Sequence, residues 1–268
     1  MVPEPERARR TYFNHPLVAE SLQCLPSALD DPSVEGFRKY VVEHVPQNSL
    51  KGRKRIAGYL VHRFSHEGQM NLPLAAAIAQ YGDSQISREI LYFELLRVYP
   101  ILEEIAIHWL AELPEGGGSR DSLKEFLSSR IPGRSAEKVT KDSLTTMKQC
   151  GKVSRPKTGW YVPLFSAPPL EVFLYVLARL YPDKAMVPIQ ALASESLLRG
   201  MLWPTTSIDG LLLQAEQAGH ISKISRLDQY HQFTTAGSGL ERLRKLLPNL
   251  PKPAGTLLLF ESRTSAGI

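Results

Sequence analysis

Apolar residues recur at helical spacing through the first 112 positions. Val34, Phe37, Tyr40, Val41 and Val45 lie on one face after a capping Ser33. Ile56, Tyr59, Leu60 and Phe64 repeat the pattern over 50–66, and the Ala-rich run 72–81 ends at Gly82. Ser84 or Ser87 caps a further helix through Ile90, Phe93 and Leu96, and Pro100 opens another that carries Trp109 and Leu110. About six helices without strand alternation predict a helical bundle over 1–113.

The pattern changes after Pro114-Glu115-Gly116-Gly117-Gly118-Ser119, where three glycines predict a linker or long turn. A phosphate-cradling loop is the weaker alternative, because no Lys-Ser/Thr follows and no strand precedes. Beyond it, Ser119 or Asp121 caps one helix, Pro132-Gly133 turns, and a second helix runs from Ser135 to about Gln149. Val153 to Phe165 then reads as a short hairpin around Lys157-Thr158-Gly159-Trp160. Helix, turn, helix and hairpin in that order predict a winged helix-turn-helix over 119–166. A similar unit is expected over 167–247, with helices at 170–180, 189–198 and 205–218, strand-like residues at 221–224 and 230–233, and a basic closing helix. Residues 248–268 read as an extended tail in which Thr256 to Phe260 is able to add a strand. The fold class is therefore mostly α: an N-terminal bundle followed by one or two winged units with short β wings.

Charge refines this picture. The 268-residue chain has a net charge of +5. Residues 1–113 hold 12 basic and 14 acidic side chains, residues 114–166 hold 10 and 5, and residues 167–268 hold 10 and 8. The imbalance sits in the central segment, as expected of a surface that meets a polyanion. Arg134, Lys138, Lys141, Thr145 and Lys148 fall on one helical stripe, opposite Ala136, Val139, Leu144 and Met147. A second helix with such a stripe has the form of a recognition helix in a major groove. Lys152, Arg155 and Lys157 continue the charge into the wing, where phosphate contacts position a protein. Lys51, Arg53, Lys54 and Arg55, at the start of a helix, are either a solvated helix end or an extension of that phosphate track. The equivalent helix of the second unit presents Asp209, Gln214, Glu216 and Gln217, which points to a structural or partner-binding role, with Lys223 and Arg226 as weak contacts.

No catalytic constellation emerges. His62 and His66 are four apart, but Arg63 stands where a zincin needs glutamate, and the other histidines, His15 among them, are scattered. Cys150 lies between Lys148 and Lys152, which offers a lowered thiol pKa or plain packing. Two cysteines exclude a disulfide framework, and no stretch approaches the ~20 apolar residues of a membrane span. The expectation is a cytoplasmic protein with no metal, no cofactor and no membrane partner.

Arg53-Lys54-Arg55-Ile56-Ala57, Leu95-Leu96-Arg97-Val98-Tyr99-Pro100-Ile101-Leu102 and the helix from Ser135 to Cys150 resemble the BrxA family of the BREX bacterial phage-defence systems. The resemblance covers 12–165 and extends toward 247. It implies a NusB-like bundle beside winged-helix elements, and double-stranded DNA binding without catalysis among other defence proteins. The rival expectation is a protein–protein adaptor whose winged units dock a larger enzyme, since fold does not dictate function.

Overall fold

Four helix starts share one device. Ser33, Ser49, Asn71 and Ser84 each accept a hydrogen bond from the backbone N–H three residues on, and so open α2 (Val34–His44), α3 (Leu50–Phe64), α4 (Leu72–Tyr81) and α5 (Gln85–Val98). The computed structural model describes residues 13–131, 135–227 and 230–252. Before α2 come α1 (Val18–Cys24) and a 3-10 turn over Leu25–Leu29. Between α3 and α4, β1 (Ser65–His66) and β2 (Gln69–Met70) form a two-residue antiparallel ladder too short to register as alternation. After α5, α6 (Pro100–Ile105) runs into a π turn over Ala106–Leu110.

The remaining chain follows one path twice. After α6 come β3 (Gly118–Ser119), α7 (Arg120–Ser128), α8 (Ser135–Gln149), β4 (Val153–Lys157) and β5 (Trp160–Pro163). After α9 (Leu170–Leu180) come β6 (Met186–Pro188), α10 (Ile189–Ser194), α11 (Ser196–Gly200), α12 (Ile208–Gln217), β7 (Ile221–Leu227), β8 (Tyr230–Thr235) and a closing α13 (Gly239–Leu246). Both sheets are antiparallel, ordered β3-β5-β4 and β6-β8-β7. In each, the strand before the helices lies against the second strand of the hairpin. The protein is thus mostly helical with small antiparallel sheets.

Of the linker or long turn expected over 114–119, the structure has the turn: Gly117 N–H donates to the Pro114 carbonyl, and Gly118 and Ser119 pair with Tyr161 and Trp160. Gly117 sits at φ +84, where a Cβ would lie 2.2 Å from the Tyr161 carbonyl oxygen, so glycine is required for the approach. The helix expected over 189–198 breaks at Glu195, whose extended ψ of 124 separates α10 from α11. The strand expected over 256–260 lies outside the described residues, as does Arg134.

One apolar cluster runs from Phe13 to Leu250, and α5 is its axis. Residues 89–96 of α5 are buried without interruption, as befits a helix covered on every side. Two carboxylates, Glu89 and Glu94, go under with it. Glu94 accepts from Arg179 Nε at 2.9 Å and Tyr175 Oη at 2.8 Å, both on α9, and from Arg97 at 3.0 Å. No helix among the described residues is long and apolar enough to cross a membrane.

His220 offers a test of the C-terminal packing. It is buried, its Nδ1 makes no hydrogen bond among the described residues, and burial, followed by Lys245 and Arg242, pushes its pKa down to about 4. The folded protein therefore binds fewer protons here than the unfolded chain between pH 6.5 and 4. The contribution is full above pH 6.5 and is lost as pH falls through that window, at no more than about 1.4 kcal/mol per pH unit. Melting curves across pH 4–7 should flatten in His220→Leu; an unchanged profile would remove His220 from the account.

Candidate nucleic-acid interface

α8 sorts its side chains by face. Ala136, Val139, Leu144 and Met147 are buried, while Lys138, Lys141 and Lys148 are exposed. Thr145, half-buried between them, returns its hydroxyl to the Lys141 carbonyl at 2.8 Å. Arg155 and Lys157 stand exposed on β4, and Lys157 Nζ lies 4.9 Å from the centre of the Trp160 ring across the Gly159 turn. Trp160 in turn donates to the Gly116 carbonyl, so its ring is part of the hairpin's packing.

Lys152 departs from the wing surface that the sequence predicts for it: its side chain is 1% exposed and donates to Glu89 at 3.0 Å and to the Met201 carbonyl at 3.0 Å. Trp203 Nε1 donates to the same carboxylate at 3.2 Å. A buried carboxylate needs a counter-charge more than the surface needs another lysine. Lys152 thus ties the first helix–hairpin unit to α5 and the second unit. Lys152→Met is expected to cost about 3 kcal/mol of stability, since it leaves the buried Glu89 carboxylate with only the neutral donors Trp203 and Gln85. Urea unfolding checks this; a loss under 1 kcal/mol would sink it. Cys150 is also resolved: it is buried, and burial outweighs Lys152 and Arg88 to push its thiol up to about 12, so it packs.

The second basic cluster is at the first turns of α3. Lys51, Lys54 and Arg55 are exposed and Arg53 is half-buried. Arg55 lines a cleft of about 330 Å³ together with His15, Gly52, Tyr59 and Gln149. Gln149 ends α8, so the start of α3 and the end of α8 share a wall. His15 bridges them further up: its N–H donates to Asp142 at 2.8 Å, and Lys138 Nζ donates to its Nε2 at 3.3 Å. Burial first, then Lys138, Arg55 and Arg63, hold the His15 pKa below its ordinary 6.5, against the pull of Asp142. Two clusters some eighty residues apart in sequence thus meet at one histidine.

Arg63 explains how. It is buried, donates to the carbonyls of Asn14, His15 and Pro16, reaches Tyr99 Oη at 3.1 Å, and lies over the Phe13 ring at 5.1 Å. Sequence reasoning passed over it as the residue that spoils a zinc motif. Its place seven after Ile56 and three after Leu60, a cation on an apolar stripe, was the available signal.

No family model matches the chain, and no curated protein matches it. The fold, however, has solved counterparts. An SspB crystal structure superposes with a TM-score of 0.62 at 12% identity, covering 91% of both chains. A magnesium ion-bound SspB structure superposes at 0.56 with 11% identity, over 91% of this chain and 88% of that one. At such identity the likeness speaks for the fold alone. It spans the bundle and both repeated units, so their arrangement is one that a second, divergent sequence also adopts.

The second unit differs in charge. α12 exposes Asp209, Gln214 and Gln217, Arg226 of β7 approaches Asp209 at 3.7 Å, and Glu216 accepts from the Ile224 N–H at 2.9 Å. Among the described residues no group of three or more His, Cys, Asp or Glu gathers as metal ligands.

Proposed function

We propose that the protein is a non-catalytic double-stranded DNA-binding protein. Its first helix–hairpin unit is read as a winged helix-turn-helix, with α8 in a major groove and Arg155 and Lys157 on the flanking backbone. The observation that carries this reading is the exposed row Lys138, Lys141 and Lys148 on α8, followed along the chain by exposed Arg155 and Lys157 on β4. Lys51, Lys54 and Arg55 extend the phosphate track across the cleft. The resemblance to the BrxA family, with its NusB-like bundle, assigns this binding to a bacterial phage-defence system of BREX type. The test is fluorescence anisotropy on a random 20-base-pair duplex at two salt concentrations. Affinity should fall steeply with salt, because binding releases counterions. Absence of binding at 50 mM salt would overturn the reading.

A second reading, an adaptor that docks a larger defence enzyme, draws on Leu213, 44% exposed on the acidic α12, and Phe165, 53% exposed between the two units. Retained DNA binding together with loss of a co-purifying partner in Leu213→Glu would assign the two units separate tasks.

A further inference from the structure

The His15 segment is more tightly built than a recognition helix and wing require. His15 and Leu17 hold φ of 61 and 50, a region non-glycine residues enter only when their surroundings impose it. Arg63 grips three successive carbonyls and Asp142 takes the His15 N–H, so the imidazole is delivered to a single place, 4.8 Å from the Tyr59 ring. Such preorganisation is typical of a group that must meet a ligand.

The charges facing it come from three elements. α3 contributes Arg55 and Arg63, α8 contributes Lys138 and Asp142, and α1 contributes Glu20 at the cleft wall. Arg63 is spent on backbone carbonyls and Asp142 on a backbone N–H. That leaves Arg55 and Lys138 as cations free to turn toward an incoming anion, with Glu20 the carboxylate that opposes it. Lys138 now donates to Nε2, so the imidazole is neutral and carries its proton on Nδ1. An anion drawing the Lys138 ammonium away uncovers Nε2 and favours its protonation, after which the imidazolium is a third donor.

We propose that His15, Lys138 and Arg55 form a phosphate-binding subsite whose imidazole binds a proton more readily when the subsite is filled. The nucleic-acid backbone is its ligand, and in this the inference rests on the DNA-binding reading. The subsite makes that binding pH-dependent: a duplex bound at neutral pH is held more tightly as pH falls.

The experiment follows the seven histidine ring signals by NMR in the full chain across pH 5–8. The His15 signal is assigned by its loss in His15→Gln. Titrations are run alone, with inorganic phosphate and with a 20-base-pair duplex, at constant ionic strength. The His15 pKa should rise by about one pH unit with either ligand, and less in Arg55→Ala. Duplex affinity should improve about fivefold more between pH 7.5 and 5.5 in the wild type than in His15→Gln. Duplex binding with no response at His15 overturns the subsite and leaves the DNA-binding reading standing. A response to phosphate with no duplex binding supports the subsite and overturns the DNA-binding reading. No response to either overturns both.

Discussion

Exchanging Glu94 for glutamine should lower the unfolding free energy by about 5 kcal/mol, the upper end for opening a buried ion pair. Glu94 is the acceptor at which α5 meets α9: Arg179 and Tyr175 reach it from one helix and Arg97 from its own. Burial alone would push its pKa up; Arg179 and Arg97 together hold it down to about 2. The carboxylate is therefore ionised throughout the neutral range. Glutamine keeps the shape and one acceptor but removes the carboxylate charge facing Arg179, whose side chain is 2% exposed, beside the like charge of Arg97. At this chain length the loss corresponds to a melting midpoint lower by roughly 10–15 °C. The double variant Glu94→Leu with Arg179→Leu should recover part of it, because the more deeply buried of the two cations is removed together with its carboxylate, while Arg97 still loses its partner. A Glu94→Gln loss under 1 kcal/mol in urea would show that the pair is not a keystone. Its sign with pH is also defined: the folded pKa is depressed, so the stabilisation is full above about pH 4.5 and fades as pH falls toward 2. Most of that lies below the window of His220.

These buried pairs mark where sequence reading stops. Helix starts at Ser33, Ser84 and Ser119 are legible, because a cap and the helix it opens are neighbours in the chain. Strands β3 and β6 are not: they span two and three residues, and their partners lie some forty positions downstream. The exposed stripe of α8 follows from periodicity alone. Lys152 does not, because its fate is decided by Glu89, sixty-three residues upstream, on a helix buried without interruption over 89–96. The convergence of Arg55 and Lys138 on His15 is hidden for the same reason, compounded by a left-handed backbone that no local pattern announces. Local chemistry predicts the elements and their faces, whereas long-range charge pairing selects which cations stay outside.

The cations that do stay outside supply the second large effect. Replacing Lys138, Lys141 and Lys148 together with alanine should lower the slope of log affinity against log salt by about 2.7, at 0.9 for each lost phosphate contact. Between 50 and 200 mM salt the wild type would then lose about 40-fold more affinity than the variant. The fold should tolerate the change. All three side chains are exposed, alanine is the better helix former, and the opposite face keeps Val139, Leu144 and Met147 in the core. Lys152→Met separates charge from position: it also removes one formal positive charge from this segment, but from a buried site, so its salt slope should match the wild type wherever it remains folded. Removing Lys223 and Arg226 from the second hairpin should change the slope by less than one contact, since α12 beside them carries Asp209. A triple variant with the wild-type slope would take α8 off the DNA. A slope change produced equally by the β7 pair would move the contact to the second unit. The contrast between the three exposed lysines and the buried one is decisive, because net charge alone predicts that any lost cation weakens binding, whereas an interface on α8 predicts that only those facing solvent do.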